Sequence, residues 1–535
     1  MAGRYDAVVI GAGINGLVAA AELAGAGWTV ALVDERDRIG GFIDSGQLTR
    51  PGFTHDTFSS WHPLFVGGGG YAALGADLHR HGLEYRNTDG AVTASVSERG
   101  AFVAYRDPAA TAAALAHPAD RDAYAAMLTQ MDAWAPHVFR TLSSELSGRD
   151  IARLAAGAWR GLRGAGLREL ARVSLQSGRG YTRERFTGWE ADQLWIPWLL
   201  HAGLSPDHAS GGLMLPVMAY TMHGLGLPVV AGGAAEFTAA FGRLLAERGV
   251  DVLLGAPAEA ITVSGGRAVS VRVAGKLLHA GRAVLASVPT ADLYRELLPA
   301  AAVPAAGRAA AARHRPGRAA MQVHVALDAP LGWTDSRLDS VPLIHIGTGS
   351  DSTGIACAQA EAGLLPAEPT VVVGQQCVLD PSRAPAGKAT LWIQLQEVPN
   401  APTGDALGQI DISGGWSDEA ASAYVDRVLS RIETFAPGLN SVVLAVATLP
   451  PTALLAANRN AVSGDPYGGA TELDQSLRLR PGTGSGHATG IGGLFHIGAF
   501  THPGPGLGGG SGHIVAQRLI SASRSRKPRP LGLES

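Results

Sequence analysis

Three glycines near the start of the chain have the spacing that binding of a dinucleotide requires. Gly11, Gly13 and Gly16 follow an apolar run at residues 5–10 and precede another at residues 17–23. In a strand–turn–helix unit, the first glycine permits the tight turn and the second lets the backbone approach a pyrophosphate. The third lets the helix pack closely on the strand. The N-terminus of that helix would offer N–H groups and a partial positive charge to the phosphates.

An acidic residue and an arginine-containing turn complete this unit. The apolar run at residues 29–33 ends at Asp34, where a carboxylate can accept hydrogen bonds from a ribose diol, and RDRIGG follows at residues 36–41. Residues 7–33 carry a single charge, Glu22, so they also resemble a signal peptide or a membrane span. The glycines, the strand-like VVI and VALV and the lack of a cleavage site favour the nucleotide-binding unit.

Histidine, aspartate and tyrosine side chains are candidates for proton transfer. The first candidate is His502, beside a Gly/Pro-rich turn near the C-terminus. The others lie in the irregular segment at residues 41–65 and in an apolar, aromatic stretch at residues 189–226; they are His55, Asp56, His62, Tyr220 and His223. These residue types can act as general acids or bases, but they serve equally well in structural roles. No triad or paired-carboxylate motif identifies a base.

Composition excludes several classes of protein. The chain has 535 residues, enough for two or three domains, with 46% hydrophobic and 17% charged residues. Its net charge of −3 argues against nucleic acid as the main partner. Cys357 and Cys377 do not form a CxxC pair, so we expect neither a redox disulfide nor a metal site. This cysteine usage predicts a reducing compartment, the cytoplasm.

A second glycine-rich loop near the C-terminus predicts a nucleotide-binding domain made of separate pieces. A predicted strand at residues 494–497 runs into a Gly/Pro turn and a helix from about residue 508, which should place this loop beside the first. Strands predicted between residues 320 and 449 form a second, mainly antiparallel sheet. The expected division is 1–66, 227–298 and 465–522 for the discontinuous nucleotide-binding domain, 67–226 for a mostly helical subdomain, 299–464 for the antiparallel-sheet domain and 523–535 for a disordered tail.

Two segments between these pieces suggest contacts with apolar or anionic partners. Residues 151–185 contain eight arginines and two glutamates, with apolar residues at helical spacing. Such a helix can lie on the inner face of the cell membrane as a peripheral contact, or it can be an ordinary solvated helix face. The tryptophans and methionines of residues 189–226 suit a wide apolar cavity, although helical core is the alternative.

The three glycine-containing motifs together resemble those of one flavoprotein superfamily. These motifs are the N-terminal GxGxxG with DRIGG, the PVVAGG at residues 228–233 and the GAFTHPGPGLGGGSGH at residues 498–513. They are similar to the amine oxidases and carotenoid desaturases. The THPGPG form most resembles the bacterial phytoene desaturases, carotene isomerases and retinol saturases. The resemblance implies an α/β fold: a split, Rossmann-like FAD-binding domain of the GR2 type with an inserted mixed antiparallel-sheet substrate domain and a helical apolar subdomain.

The resemblance also implies FAD as the cofactor and assigns residues to it. The residues expected at the pyrophosphate, the ribose and the adjoining turn are Gly11, Gly13, Ile14, Asn15, Gly16, Asp34, Glu35, Arg36, Gly40 and Gly41. Adenine would lie at residues 257–259, around Ala258. The residues expected at the diphosphate, the ribityl chain and the isoalloxazine are Gly498, Ala499, Pro505, Leu507, Gly508, Gly509 and Ser511.

The expected activity is an FAD-dependent dehydrogenase or desaturase acting on an apolar small molecule, such as a polyene or an isoprenoid-like compound. Hydride would pass to flavin N5, and a proton would leave the neighbouring carbon. Three alternatives remain open. They are an amine or alcohol oxidase with a polar substrate, a redox-neutral polyene isomerase, and a non-catalytic flavin-binding protein. The sequence gives no indication of the oligomeric state.

Overall fold

The computed structural model describes residues 3–482, 484–506 and 508–525, and it has a mixed α/β fold built on two seven-stranded sheets. The strands, in chain order, are β1 (Gly3–Ile10), β2 (Val30–Val33), β3 (Ser45–Gly46), β4 (His55–Asp56), β5 (Tyr85–Arg86), β6 (Ala91–Ser97), β7 (Gly100–Tyr105), β8 (Val229–Val230), β9 (Asp251–Leu253), β10 (Ala258–Ser264), β11 (Arg267–Val273), β12 (Lys276–Ala286), β13 (Ala319–Leu327), β14 (Leu343–Ile346), β15 (Leu364–Leu365), β16 (Val371–Gly374), β17 (Ala389–Val398), β18 (Gly404–Asp405), β19 (Val443–Leu449), β20 (Gly484–His487) and β21 (Leu494–His496).

Helices cover and connect these sheets. The α-helices, in chain order, are α1 (Ile14–Gly25), α2 (Pro63–Val66), α3 (Gly69–Arg80), α4 (Pro108–Ala113), α5 (Pro118–Leu142), α6 (Gly148–Leu175), α7 (Gly178–Arg185), α8 (Glu190–Trp195), α9 (Gly211–Leu225), α10 (Ala235–Glu247), α11 (Ala305–Arg313), α12 (Ser350–Glu361), α13 (Asp418–Phe435), α14 (Leu439–Val442), α15 (Pro451–Ala457) and α16 (Gly510–Ser525). The last helix includes the first three residues of the expected disordered tail, and residues 526–535 lie outside the described part of the chain.

The first sheet brings together the pieces of the predicted nucleotide-binding domain. β1 pairs in parallel with β2 and β12, β2 pairs in parallel with β9, and β12 also pairs in parallel with β21. The antiparallel strands β10 and β11 continue the sheet beyond β12. The glycine loop after β1 therefore lies at the carboxyl end of a parallel sheet, where such folds bind nucleotides. The predicted mixed α/β class is confirmed.

Helices α1, α3, α10 and α16 cover this sheet. Their apolar faces share one core with β1 and β2, and Leu74 and Leu78 of α3 pack in that core beside Phe237 of α10. The sequence predicts a helical subdomain over residues 67–226. The structure instead packs α3 on the nucleotide-binding sheet, because its apolar side chains face α10 and α1.

The second sheet has the strand order β19–β13–β17–β16–β14–β6–β7. Its strands pair antiparallel, apart from the parallel pair β14–β6. Helix α13 packs on one face of this sheet. The hairpin β6–β7 comes from the region expected to be mostly helical. It joins this sheet because β6 pairs with β14, a strand some 250 residues later. The Thr93 hydroxyl of β6 also donates a hydrogen bond to the Leu343 carbonyl of β14.

Helices α4–α9 form the helical part and pack against the other face of the second sheet. Helix α6 bends at Arg163, where the backbone φ is +54°. Across residues 3–482, 484–506 and 508–525, the structure has no helix that is both long and apolar enough to cross a membrane.

Candidate functional site

The first glycine loop has the geometry that each of its glycines was expected to provide. Gly11 has a φ of +94° and turns the chain from β1 toward α1 beside the Ser287 carbonyl. A Cβ added at Gly16 would overlap the Gly11 carbonyl oxygen, so only glycine allows this close packing of helix on loop. A Cβ added at Gly13 would meet nothing within 4 Å among the described residues. The backbone at Gly13 is therefore open to a ligand at the N-terminus of α1.

The ribose candidate Asp34 is tied to this loop. Its Oδ2 accepts a hydrogen bond from Ala12 N (2.6 Å) and its Oδ1 accepts one from Arg36 N (2.9 Å). A carboxylate has about four lone-pair sites, so each oxygen can accept a further hydrogen bond from a hydroxyl. The position of Asp34 beside the glycine loop therefore suits a ribose diol.

The RDRIGG turn folds back on the same loop. Arg36 Nη1 donates to the Gly41 carbonyl at 2.8 Å, and Gly40 N donates to the Ala12 carbonyl at 2.8 Å. Burial is the main influence on the Arg36 guanidinium and lowers its pKa, and the positive charge of the nearby Arg38 lowers that pKa further. Glu35 is exposed. Of these side chains, Arg36 is the one held against the turn.

The segment predicted to contact adenine lies next to Asp34. Gly255 N donates to the Arg36 carbonyl at 2.6 Å, and Ala256 N donates to the Asp34 carbonyl at 2.8 Å. Ala258 follows as the first residue of β10. The structure thus brings the expected adenine and ribose positions together at one edge of the first sheet.

The second glycine loop meets the first through a pair of side chains. Ser511 Oγ accepts a hydrogen bond from Gly498 N (2.7 Å) and donates to Asn15 Oδ1 (2.9 Å). A Cβ added at Gly512 would overlap the Asn15 carbonyl oxygen. The N-termini of α1 and α16 therefore converge, and their partial positive charges favour an anion between the two loops. Asn15 and Ser511 were expected to contact FAD. The structure shows that they also connect α1 to α16.

The other residues expected at the flavin surround this junction. Gly498 has a φ of +100° and lies beside Ser287, Ala499 lies against Gly468, and Gly509 lies against Val18 of α1. Of the other residues expected at FAD, Ile14 packs in the core of the first sheet and Gly508 lies against the Leu64 carbonyl. Pro505 is half-buried, and Leu507 lies outside the described residues.

Asp56 is held in a buried ion network. Its carboxylate accepts hydrogen bonds from Arg383 Nη1 (2.7 Å), from the Ser60 hydroxyl and from Ala234 N (2.7 Å) at the start of α10. Arg383 also donates to Asp380 and to the Val230 carbonyl. The side chains of Asp56 and Arg383 are 0% and 1% exposed. This network connects three distant segments, which gives Asp56 a structural role.

His55 and His62 are buried near this network and are neutral. Burial, with Arg383 as the second cause, lowers the pKa of His55 to about 4 and that of His62 to about 3. Each ring has one nitrogen in contact with a hydroxyl, that of Thr49 for His55 and that of Tyr85 for His62. His55 Nδ1 and His62 Nε2 have no partner within the described residues. Both rings can therefore accept or donate one further hydrogen bond.

His502 presents an unused lone pair. Its Nε2 lies 3.0 Å from the Thr141 carbonyl, which can only accept, so Nε2 carries the proton. Burial lowers the pKa of His502 to about 4, which leaves the ring neutral and Nδ1 unprotonated. Nδ1 is buried without a partner in the described part of the chain. His502 thus keeps one unprotonated ring nitrogen that could accept a proton, as the candidate role requires.

Tyr220 and His223 are engaged within the helical part. His223 Nε2 lies 2.7 Å from the Tyr124 hydroxyl and its Nδ1 lies 2.7 Å from the Tyr105 carbonyl, so both ring nitrogens are engaged by protein groups. The Tyr220 ring lies 6.4 Å from that of Phe139. Burial and a hydrogen bond with Asp132 raise the pKa of Tyr220. The structure does not bring this pair to the glycine loops.

A polar row that the sequence did not predict lies on the second sheet, on the face that packs against the helical part. His324 and Gln322 of β13 and Trp392 of β17 share this face, and all three are buried. His345 of β14 lies farther along this face, and its Nε2 is 3.0 Å from that of His201, which belongs to the helical part. The indication in the sequence was alternation, because Gln322 and His324 alternate with core valines in an otherwise apolar strand.

Comparison with known proteins places the chain in a family. Residues 14–520 match the family described as flavin containing amine oxidoreductase, and the chain belongs to it. The protein is an FAD-dependent oxidoreductase of the amine oxidase superfamily. The converging helix N-termini, the open backbone at Gly13 and the carboxylate of Asp34 fit the phosphates and the ribose of that cofactor.

Individual relatives are distant. The chain is 24% identical to a 4,4'-diapolycopene oxygenase from Methylomonas sp over 438 residues, 80% of each chain. It is 26% identical to the mouse (Mus musculus) pyridine nucleotide-disulfide oxidoreductase domain-containing protein 2 over 566 residues, 96% of this chain and 94% of the other. Among solved structures, a putrescine oxidase (TM-score 0.61, 15% identity, 98% of this chain and 100% of the other) shares the fold. So does the cyclohexylamine oxidase of Brevibacterium oxydans (TM-score 0.58, 15% identity, 97% and 99%).

Proposed function

We propose that this protein oxidises a substrate with an apolar, polyene-like or isoprenoid-like body. The observation that carries the proposal is the cluster of large apolar side chains between the helical part and the second sheet. Its members include Trp195, Trp198, Leu215, Met222 and Trp392. Aromatic and methionine side chains suit long unsaturated chains, because they offer wide, polarizable surfaces. The named activity of the diapolycopene oxygenase, a distant relative, is compatible with such a substrate.

In this proposal the chain's own residues bind, orient and accept a proton. The chemistry that FAD supplies when bound is acceptance of a hydride at N5. The N-termini of α1 and α16 would hold the phosphates of FAD, and Asp34 would hold its ribose. The apolar cluster orients the substrate and excludes water. The Nδ1 lone pair of His502 accepts the proton that leaves the substrate.

An amine or alcohol oxidase is the second candidate, and one observation favours it. The face of the second sheet that packs on the helical part carries buried polar atoms without partners among the described residues, at Ser95, Gln322, His324, His345 and Trp392. A buried polar atom left unpaired costs roughly 1–3 kcal/mol, so these atoms call for water or a polar ligand group. Two proteins with this fold are named as oxidases of putrescine and of cyclohexylamine.

Anaerobic bleaching of the flavin spectrum tests the proposal. The holoenzyme is mixed without oxygen with lycopene in micelles, or with putrescine or cyclohexylamine, and flavin absorbance is followed. We expect lycopene to bleach the flavin and the two amines to leave it oxidised. Bleaching by the amines alone would establish the amine oxidase. Isomerisation of lycopene by pre-reduced enzyme, without net oxidation, would establish the isomerase. Bound FAD that responds to none of these compounds would favour the non-catalytic alternative.

We also propose that α6 contacts an anionic membrane surface. The Trp159 side chain of α6 is 61% exposed. A groove of about 420 Å³ beside it is lined by Arg140, Ala152, Arg153, Ala156, Gly157 and Arg160. Cationic side chains around an exposed tryptophan suit phospholipid headgroups, each charge contributing about 1 kcal/mol near an anionic surface.

Sedimentation with phosphatidylglycerol vesicles tests this contact. We expect binding that falls with salt and that Arg160→Glu weakens. Arg272→Glu, a matched change at an exposed position of β11, should leave binding unchanged. Binding that ignores both salt and anionic lipid would contradict the proposal.

A further inference from the structure

The polar row on β13 and β17 consists of neighbouring side chains with complementary hydrogen-bonding atoms. His324 of β13 is the cross-strand partner of Trp392 on β17, and Gln322 lies two residues earlier on the same face. The ring of His55 lies against that of His324, with 5.2 Å between centroids. Gly374, beside Trp392, has no side chain and so makes room for the indole.

The protonation state of His324 follows from its contacts. Its Nε2 lies 3.1 Å from the Thr57 carbonyl, which can only accept, so Nε2 carries the proton. Burial lowers the pKa of His324 to about 3, with His55 as a second cause, so the ring is neutral. Nδ1 is therefore an unprotonated acceptor, and it has no partner within the described residues.

The neighbouring atoms are donors. Trp392 Nε1 can only donate, and the amide nitrogen Gln322 Nε2 donates as well. Both are buried and lack partners in the described part of the chain. The residue with the acceptor thus lies next to the residues with the donors on a single sheet face. None of these three atoms is paired with another, and a group that both donates and accepts would satisfy an acceptor and a donor at once.

We infer that this row binds a hydroxyl group of the substrate, which donates to His324 Nδ1 and accepts from Trp392 Nε1 or Gln322 Nε2. An ammonium group could not accept from the donors, and a carboxylate or an ether could not donate to His324. The nearby carboxylate Asp56 is already paired with Arg383, so it does not offer a charge to an amine. The inference rests on the proposed function, since it adds a hydroxyl to the apolar body proposed above.

The position of Trp392 supports this combination. Its indole packs in the apolar cluster with Trp198 and Leu343, while its Nε1 belongs to the polar row. The apolar cluster and the row therefore meet at one side chain. A substrate with an isoprenoid chain and a hydroxyl would contact both.

Binding of matched isoprenoids to the holoenzyme tests the inference. Geranylgeraniol has the hydroxyl, geranylgeranyl methyl ether keeps the oxygen but cannot donate, and the corresponding hydrocarbon lacks the oxygen. Dissociation constants come from perturbation of the flavin spectrum in a common detergent. We expect the alcohol to bind about two- to tenfold more tightly than the ether, the usual contribution of one net hydrogen bond.

His324→Gln should remove the preference for the alcohol, because glutamine can still donate to Thr57 but has nothing at the position of Nδ1. Trp392→Phe, which keeps an aromatic ring but removes the N–H, should weaken binding of both the alcohol and the ether. The matched control is His79→Gln. Like His324, His79 has one ring nitrogen in contact with a backbone carbonyl, that of Leu83. Its other ring nitrogen contacts the Tyr71 hydroxyl, and the residue lies on α3, away from the polar row. FAD content reports whether each variant folds.

The outcomes separate this inference from the proposed function. Equal binding of alcohol and ether by the wild type would overturn the hydroxyl site and would show that the row holds water only, while the apolar substrate would stand. A preference for the alcohol that survives in His324→Gln, or wild-type binding of both ligands by Trp392→Phe, would also overturn the site. Failure of all three isoprenoids to bind would overturn the proposed function and the inference with it.

Discussion

Replacing Gly13 by alanine separates cofactor binding from folding. Gly13 has φ −70° and ψ 173°, an extended conformation that alanine adopts without strain, and an added Cβ would meet nothing within 4 Å among the described residues. Such a change stabilises a protein by about 0.4–1 kcal/mol, because the unfolded chain loses conformational freedom. The apoprotein of Gly13→Ala should therefore be as stable as the wild type or slightly more stable.

FAD affinity should fall sharply in the same variant. The methyl group would occupy the space through which a pyrophosphate approaches the N-terminus of α1. Hydrogen bonds to charged groups contribute about 1.5–3 kcal/mol each, so loss of one or two corresponds to binding weaker by roughly tenfold to ten-thousandfold. Titration of apoprotein with FAD, followed by flavin fluorescence, measures this change, and thermal unfolding measures stability.

Two further glycine substitutions serve as controls for this prediction. Gly148→Ala, at the start of α6, also adds a methyl group to open space, so it should leave FAD affinity unchanged. Gly512→Ala would drive a Cβ into the Asn15 carbonyl oxygen and separate α16 from α1, so both stability and FAD binding should fall. Wild-type FAD affinity in Gly13→Ala would refute the placement of the pyrophosphate at this loop.

The remaining predictions concern buried and paired charges. Arg383→Met should lower the free energy of unfolding, measured by urea denaturation, by about 3–5 kcal/mol, because Asp56 would be left buried without its partner. A double variant with Asp56→Leu and Arg383→Leu should lose less stability than Arg383→Met. A larger loss in the double variant would contradict this reasoning. Burial raises the pKa of Asp405, but Arg427 and backbone N–H groups outweigh it and hold that pKa at about 2. Because the unfolded pKa is about 3.9, this stabilisation is present above about pH 4 and is lost as the pH falls toward 2. Asp405→Asn should flatten the fall in Tm of the apoprotein over that range, and an unchanged pH profile would contradict the assignment.

Local patterns in the sequence predicted the elements that neighbouring residues determine. The strand–glycine–helix unit at the start depends on residues within forty positions of each other, and it forms as expected. The strand predicted at residues 320–327 is observed as Ala319–Leu327, because its β-branched and apolar residues face covered surfaces on both sides of the sheet. The convergence of α1 and α16 was also expected, since similar loops in one parallel sheet share an edge.

Contacts between distant segments could not be predicted in this way. The partner of Asp56 is Arg383, 327 positions away, and nothing in the local pattern around either residue identifies the other. The hairpin β6–β7 reads as a short local unit, yet it completes a sheet formed by strands more than 200 residues later. His324 escaped notice for a related reason, because a lone histidine in an apolar strand is ordinary until its partners are known.

The polar row on the second sheet favours an apolar substrate that carries a hydroxyl over a pure hydrocarbon and over a small ammonium ion. A hydrocarbon would leave His324 Nδ1 and Trp392 Nε1 unpaired, at a cost of roughly 1–3 kcal/mol for each atom unless water stayed with it. A small ammonium ion would donate to the acceptor but leave the donors unpaired, because it has no lone pair. A hydroxyl at the end of an apolar chain avoids both costs, because it can donate to the acceptor of the row and accept from one of its donors. The comparison of alcohol, ether and hydrocarbon therefore examines both parts of the site with a single set of ligands.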